Sequence, residues 1–65
     1  MKVREIIREL HEDGWVQVRQ RGSHRQFRLQ TKRGTVTVPG ALGDDLHIEL
    51  ISSIMRQAGL ERRKR

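Results

Sequence analysis

Hydrophobic positions near the start of the chain recur with the spacing of a helix. The apolar residues at i, i+3, i+4 and i+7 are Val3, Ile6, Ile7 and Leu10. This spacing places their side chains in one stripe, while the charged residues between them form a solvated face. Gly14 ends the pattern, as glycine commonly does after a helix. The first fourteen residues therefore predict one short amphipathic helix.

Alternation of polar and apolar residues follows in two runs, 15–21 and 25–30. A period of two is typical of strands, and the Gly22-Ser23 pair between the runs favours a tight hairpin. Gly22 is expected to supply the positive φ of the first turn position. A two-residue turn at this point pairs Arg21 with His24 across the hairpin.

The same register predicts one apolar and one polar face for the hairpin. Phe27 would lie opposite Val18 and Leu29 opposite Val16, while the other face would carry Gln, Arg and His. Trp15 breaks the alternation, since it falls on the polar side. We expect Trp15 to be buried rather than to stack on a base, through a bulge or a later strand start, because large aromatic residues dominate small cores.

A third strand is predicted over 35–38, where Thr and Val alternate. Pro39 ends it, because proline cannot continue a central ladder. The loop 41–46 follows. In it Asp44 and Asp45 are available as N-caps, or as acids that complement the dipole of the next helix.

Helical spacing returns after this loop. The apolar residues concerned are Ile48, Leu50, Ile51, Ile54, Met55 and Ala58. Gly59 is expected to close the helix, with Leu60 packing back on it. The predicted fold is α+β in the order α-β-β-β-α, a three-stranded antiparallel sheet with both helices on its apolar face. We assign residues 1–60 to a single domain and 61–65 to a basic C-terminal tail.

Composition narrows the class of protein. The chain has 65 residues, enough for one domain, and no cysteine, which excludes disulfides and thiolate metal sites. Its histidines, His11, His24 and His47, lack the paired spacing of a zinc site, so no metal and no cofactor is expected. No apolar run has the length of a membrane span or a signal peptide. We therefore expect a cytoplasmic protein with no membrane partner.

Positive charge concentrates in the middle of the chain. The net charge is +6, and it is −1 over residues 1–14, +6 over 15–38 and +1 over 39–65. Residues 15–38 contain no Asp or Glu; their basic residues are Arg19, Arg21, Arg25, Arg28, Lys32 and Arg33. A basic surface kept only for solubility would not need an acid-free stretch. The pattern favours a surface for phosphate, and RNA is the expected partner.

His24 is the candidate for chemistry, because it stands at the mouth of the hairpin inside this basic stretch. RNA can be cut without metal if a base removes the 2′-hydroxyl proton while cations stabilise the phosphate. Histidine, with an ordinary pKa of about 6.5, suits the first task, and the arginine fork suits the second. We predict His24 as general base or acid and Arg21 and Arg25 as phosphate contacts. The remaining RNA-binding candidates are Arg19, Ser23 and Arg28.

The other two histidines have less to do with this chemistry. His11 stands late in the first helix, where we expect it to interact with the C-terminal end of that helix. His47 could support the site only if the last helix begins beside the mouth of the hairpin.

Several segments, in this order and spacing, resemble the HicA toxin family. They are Gly14-Trp15, Arg-Gln-Arg-Gly-Ser-His at 19–24, Val-Thr-Val-Pro at 36–39 and Ile-Met-Arg-Gln-Ala-Gly-Leu at 54–60. The resemblance covers residues 3–60, and its most specific parts are the Gly-Ser-His turn and the Gln-Ala-Gly-Leu ending. Gly40 after the proline and Glu49-Leu50 at the last helix depart from the family pattern.

The resemblance implies the toxin of a type II toxin–antitoxin system, an endoribonuclease that cleaves mRNA and is neutralised by a HicB antitoxin. It also implies a fold like that of double-stranded-RNA-binding domains, and by position His24 matches the family's catalytic histidine. The alternative is a non-catalytic RNA-binding module, which needs only the positive charge. A DNA-binding ribbon is a weaker interpretation, because no recognition helix carries the basic residues.

Overall fold

Two helices and three strands follow one another in the order α-β-β-β-α in the computed structural model of the protein, which describes residues 1–60. The elements are α1 (Val3–Glu12), β1 (Val16–Arg21), β2 (His24–Arg28), β3 (Val36–Val38) and α2 (Ile48–Ala58). The strands form one antiparallel sheet in the order β1-β2-β3. The predicted α+β fold is therefore confirmed. The predicted basic tail, 61–65, lies outside the described residues.

One hydrophobic core lies between the two helices and one face of the sheet. Its largest side chains are those of Trp15 and Phe27, which are 1% and 0% exposed, so the predicted burial of Trp15 is confirmed. The other buried residues are Val3, Ile6, Leu10, Val36, Val38, Ile51, Ile54, Met55, Ala58 and Leu60. Because both helices contribute to this one core, they cover the same face of the sheet. Neither helix within residues 1–60 has the length and apolarity that crossing a membrane requires.

The register of the hairpin agrees with the prediction close to the turn and departs from it farther away. Arg21 pairs with His24, as predicted, and Arg19 pairs with Gln26. A β-bulge between Gln17 and Arg19 then shifts the register.

Beyond the bulge, the predicted apolar face of β1 is wrong. Val16 pairs with Arg28 rather than with Leu29, and Val16 and Val18 are 60% and 54% exposed. The bulge adds one residue to an edge strand, where bulges are common, and so reverses the alternation before it. Trp15 enters the core as a result. One buried indole removes more apolar surface from water than either valine would.

Helix α2 buries a narrower stripe than its sequence predicts. Ile51 and Ile54 are buried, but Ile48 is 66% and Leu50 37% exposed, so their predicted place in the stripe is wrong. At 100° per residue, Ile48 and Leu50 stand roughly 70° and 90° from the centre of the buried stripe, at its margins. The predicted end of the helix is confirmed. Gly59 takes a left-handed conformation with φ of 74°, and the N–H of Leu60 donates to the carbonyl of Met55 at 2.8 Å.

The loop 39–47 joins the N-termini of both helices. The carbonyl of Asp44 accepts from the N–H of Val3 at 2.9 Å, which satisfies a helix donor of α1 that has no partner within the helix. The carboxylate of Asp45 lies 3.3 Å from the ammonium of Lys2. Neither aspartate is the N-cap of α2, so the first of the two alternatives for them is wrong. The cap is His47, whose Nδ1 accepts from the N–H of Glu49 at 3.2 Å.

Candidate nucleic-acid interface

The turn that carries His24 has the predicted geometry. Gly22 has φ of 58°, and no residue other than glycine has a positive φ in the part of the chain that the structure describes. A positive φ at the first central position alone is the pattern of a type II′ turn, whose twist matches that of the flanking strands. Ser23 completes the turn and is exposed. His24 therefore begins β2 directly across from Arg21.

Pairing and alternation bring the polar residues of the hairpin together on the side of the sheet that the helices leave uncovered. Phe27 points into the core, so its alternate neighbours along β2 point away from it. We call this surface the cationic face; its hairpin residues are Arg19, Arg21, His24, Gln26 and Arg28. No acidic residue lies within the hairpin.

The charged groups of the cationic face are available to a ligand. Arg19, Arg21 and Arg28 are exposed, and within residues 1–60 none of their guanidinium groups makes a hydrogen bond or an ion pair. The exposed imidazole of His24 likewise has no hydrogen-bond partner among those residues. Guanidinium groups form strong, often bidentate hydrogen bonds with phosphate. The arrangement can thus hold a phosphodiester beside an imidazole.

Arg25 occupies a different position from the other arginines of the hairpin. It alternates onto the same side of the sheet as Phe27, is half-buried, and donates from Nη1 to the carbonyl of Gly40 at 3.0 Å. This bond ties the centre of the sheet to the corner that follows β3. The predicted role of Arg25 as a phosphate contact remains a prediction, to which the structure adds this structural role.

Lys32, which the sequence grouped with the basic residues of 15–38, is bound to other residues of the fold instead. Its ammonium donates to the Asp13 carboxylate at 3.0 Å and to the Ala58 carbonyl at 2.9 Å, and it lies 6.0 Å from the centre of the Trp15 ring. The indole of Trp15 donates to the same carboxylate at 3.1 Å. We call this group the clasp: Asp13, Trp15, Lys32 and Ala58. It joins the ends of both helices, and no local pattern indicates it, because Lys32 and Ala58 are far in the sequence from Asp13 and Trp15.

The remaining histidines lie away from the cationic face or have a structural role. His11 stands in the last turn of α1, where we placed it, and its ring packs edge-on against Phe27 with centroids 5.8 Å apart. Since Phe27 faces the core, His11 is on the helical side of the sheet. His47 caps α2 with Nδ1, a role that its sequence neighbourhood did not predict. Among residues 1–60 no three His, Asp or Glu side chains cluster in a way that could hold a metal ion.

Fold and surface together place the chain among small α+β proteins that present a cationic sheet face to solvent. A sequence model described as the HicA toxin of bacterial toxin–antitoxin systems matches residues 3–60. The chain therefore belongs to the HicA toxin family, as the resemblance of its motifs predicted. Membership in this family implies an antitoxin partner. No curated protein matches the chain significantly.

Proposed function

We propose that this protein is a metal-independent endoribonuclease toxin that cleaves mRNA in the cytoplasm, with His24 as general base or acid and a HicB-like antitoxin as its inhibitor. One observation carries the proposal. His24 is held at the mouth of a type II′ hairpin, across from Arg21, on a face whose hairpin residues include three arginines without a partner among residues 1–60 and no acid. Such a face suits a polyanion, and an imidazole within it suits proton transfer near neutral pH.

The reaction follows from these groups. His24 takes the proton of the 2′-hydroxyl, the 2′-oxygen bonds to the adjacent phosphorus, and the bond from phosphorus to the 5′-oxygen breaks. The leaving oxygen takes a proton from solvent, or from the imidazolium if His24 also acts as acid. The products are a 2′,3′-cyclic phosphate and a 5′-hydroxyl. Arg21, directly across the hairpin, stabilises the negative charge that builds up on the phosphate oxygens.

The other arginines bind rather than react. Arg19 and Arg28 lie farther from the turn, where they would contact neighbouring phosphates of the same strand. Three phosphate contacts predict that the affinity for single-stranded RNA falls with salt at a logarithmic slope of roughly −2. Arg21→Ala should bring that slope about 0.7 closer to zero, because one contact is lost.

Replacement of His24 separates an enzyme from a binding protein. His24→Ala leaves every cation in place, so RNA affinity should change little, while cleavage should fall about 10²- to 10⁴-fold. His11→Ala is the matched control, because it removes an exposed imidazole from the opposite side of the sheet. Cleavage of a labelled RNA is measured in chelator, together with growth and RNA decay in bacteria that express each variant.

Three outcomes would contradict the proposal. If His24→Ala were as nucleolytic as the wild type, His24 would be only a turn residue. If the wild type bound RNA without cleaving it, the protein would be a non-catalytic RNA-binding module. Loss of wild-type cleavage in chelator would show that a metal ion takes part.

A further inference from the structure

The bulge in β1 creates an apolar surface that the proposed cleavage chemistry does not use. Val16 and Val18 are 60% and 54% exposed, although valine is most often buried. They border an open depression of about 430 Å³. We call it the apolar depression; its lining residues are Gly14, Val16, Val18, Arg28, Leu29 and Gln30.

The apolar depression is continuous with the cationic face. Val16 pairs with Arg28, so the two side chains lie on the same side of the sheet as His24, and Arg28 belongs to both surfaces. Since β1 is at the edge of the sheet, this region is open on one side within the described residues. A ligand that covers His24 could reach the apolar depression through Arg28.

The lining favours an apolar protein side chain over a nucleobase. Bases bound to open sheets stack on exposed aromatic rings, but the two aromatic residues of this chain, Trp15 and Phe27, are both buried. Branched aliphatic side chains around a concavity are the surroundings that an anchoring side chain of a protein partner requires. The bulge also interrupts the edge of β1, which disfavours pairing with another strand.

We propose that the apolar depression receives an apolar side chain from an acidic segment of the antitoxin, whose carboxylates bind the arginines of the cationic face. The inference rests on the proposed function and adds an apolar contact to the ionic contacts through which the toxin binds its antitoxin. RNA and an acidic segment compete for the same guanidinium groups, so charge alone does not select the inhibitor. An apolar anchor adds affinity that RNA cannot match and that salt does not screen.

The test replaces the two valines with isosteric threonines. Val16→Thr with Val18→Thr keeps shape, charge and β-propensity but puts hydroxyl groups where the anchor would bury methyl groups. The probe is the protein encoded by the neighbouring reading frame, titrated by calorimetry at about 0.1 M and about 0.5 M salt. The double variant should bind it about 10- to 100-fold more weakly, by the same factor at both salt concentrations. Ile48→Thr, at an equally exposed position on α2, is the control and should bind like the wild type.

Two further measurements make the result specific. Methyl NMR of the wild-type protein should show that the signals of Val16 and Val18 shift when the probe is added. RNA cleavage by the double variant should stay within about twofold of the wild-type rate. Circular dichroism melting confirms that the variants are folded.

The proposal fails if the probe does not bind the wild type, or binds the double variant as tightly as the wild type. It fails as well if RNA affinity and cleavage fall while binding of the probe does not, because the apolar depression would then belong to RNA. Failure of the proposed function gives a different result from failure of this proposal. In that case the wild type does not cleave RNA, whether or not Val16 and Val18 are needed to bind the probe.

Discussion

Replacing Lys32 with methionine tests whether the clasp stabilises the fold. Methionine keeps most of the apolar stem but removes the ammonium that bonds both the Asp13 carboxylate and the Ala58 carbonyl. Lys2→Met is a matched control. It removes the same charge from a lysine whose bonds, to the Gly43 carbonyl and the Asp45 carboxylate, are both 3.3 Å long and exposed.

The two lysines should differ because their partners differ in burial. The Asp13 side chain is 19% exposed and that of Lys32 is 38%, so both groups remain partly solvated. We therefore expect Lys32→Met to lower the free energy of unfolding by about 2 kcal/mol, in the lower part of the range for charged hydrogen bonds. The Asp45 side chain is 68% exposed, and such surface pairs contribute about 0–1 kcal/mol. In a domain of this size, 1 kcal/mol shifts the melting temperature by roughly 4–8 °C. Lys32→Met should therefore melt roughly 8–16 °C below the wild type, and Lys2→Met no more than about 8 °C below it.

Thermal and urea unfolding followed by circular dichroism give both stabilities, and a cleavage assay well below the melting temperature completes the experiment. Because Lys32 lies in the clasp and not on the cationic face, its replacement should leave RNA affinity and cleavage near wild-type values in that assay. If Lys32→Met costs no more stability than Lys2→Met, the clasp does not stabilise the fold. If a stably folded Lys32→Met loses RNA affinity, Lys32 is a phosphate contact.

Two other predictions concern local geometry. Gly22→Val should cost about 1–3 kcal/mol of stability, because valine is strained at φ of 58°. No atom lies within 4 Å of the added Cβ, so the cost is backbone strain and not a steric clash. An unchanged melting temperature would show that the turn tolerates side chains. His47→Ala should destabilise the protein by about 0.5–2 kcal/mol through loss of the α2 cap, whereas His47→Asp should restore or exceed wild-type stability, because aspartate is a preferred N-cap. Equal unfolding midpoints for the alanine and aspartate variants would contradict a capping role.

Local sequence patterns predicted most of what depends on neighbours along the chain. The stripe of Val3, Ile6 and Leu10 defines α1, and all three residues are buried. Gly22 and Ser23 define the turn and hence the pairing of Arg21 with His24. These features follow from backbone conformation and from the periods of helix and strand, which act over a few residues. The cationic face near the turn could therefore be predicted without knowledge of the core.

Features that depend on competition for the core become defined only when the whole chain is packed. Under strict alternation the run from Trp15 to Val18 can bury the indole or the valines but not both, and the position of the bulge, between Gln17 and Arg19, favours Trp15. Because that choice depends on the space that the helices leave, no pattern within β1 could predict the exposed valines. The role of Lys32 could not be predicted either. In the sequence it is one more basic residue, and only the fold brings the ends of both helices together around its ammonium group. Short-range conformational preferences thus make the elements, the turn and the position of His24 predictable from the residues. The fold decided which neighbouring side chains face the site and which support the structure, because burial and long-range hydrogen bonds exist only once the chain is packed.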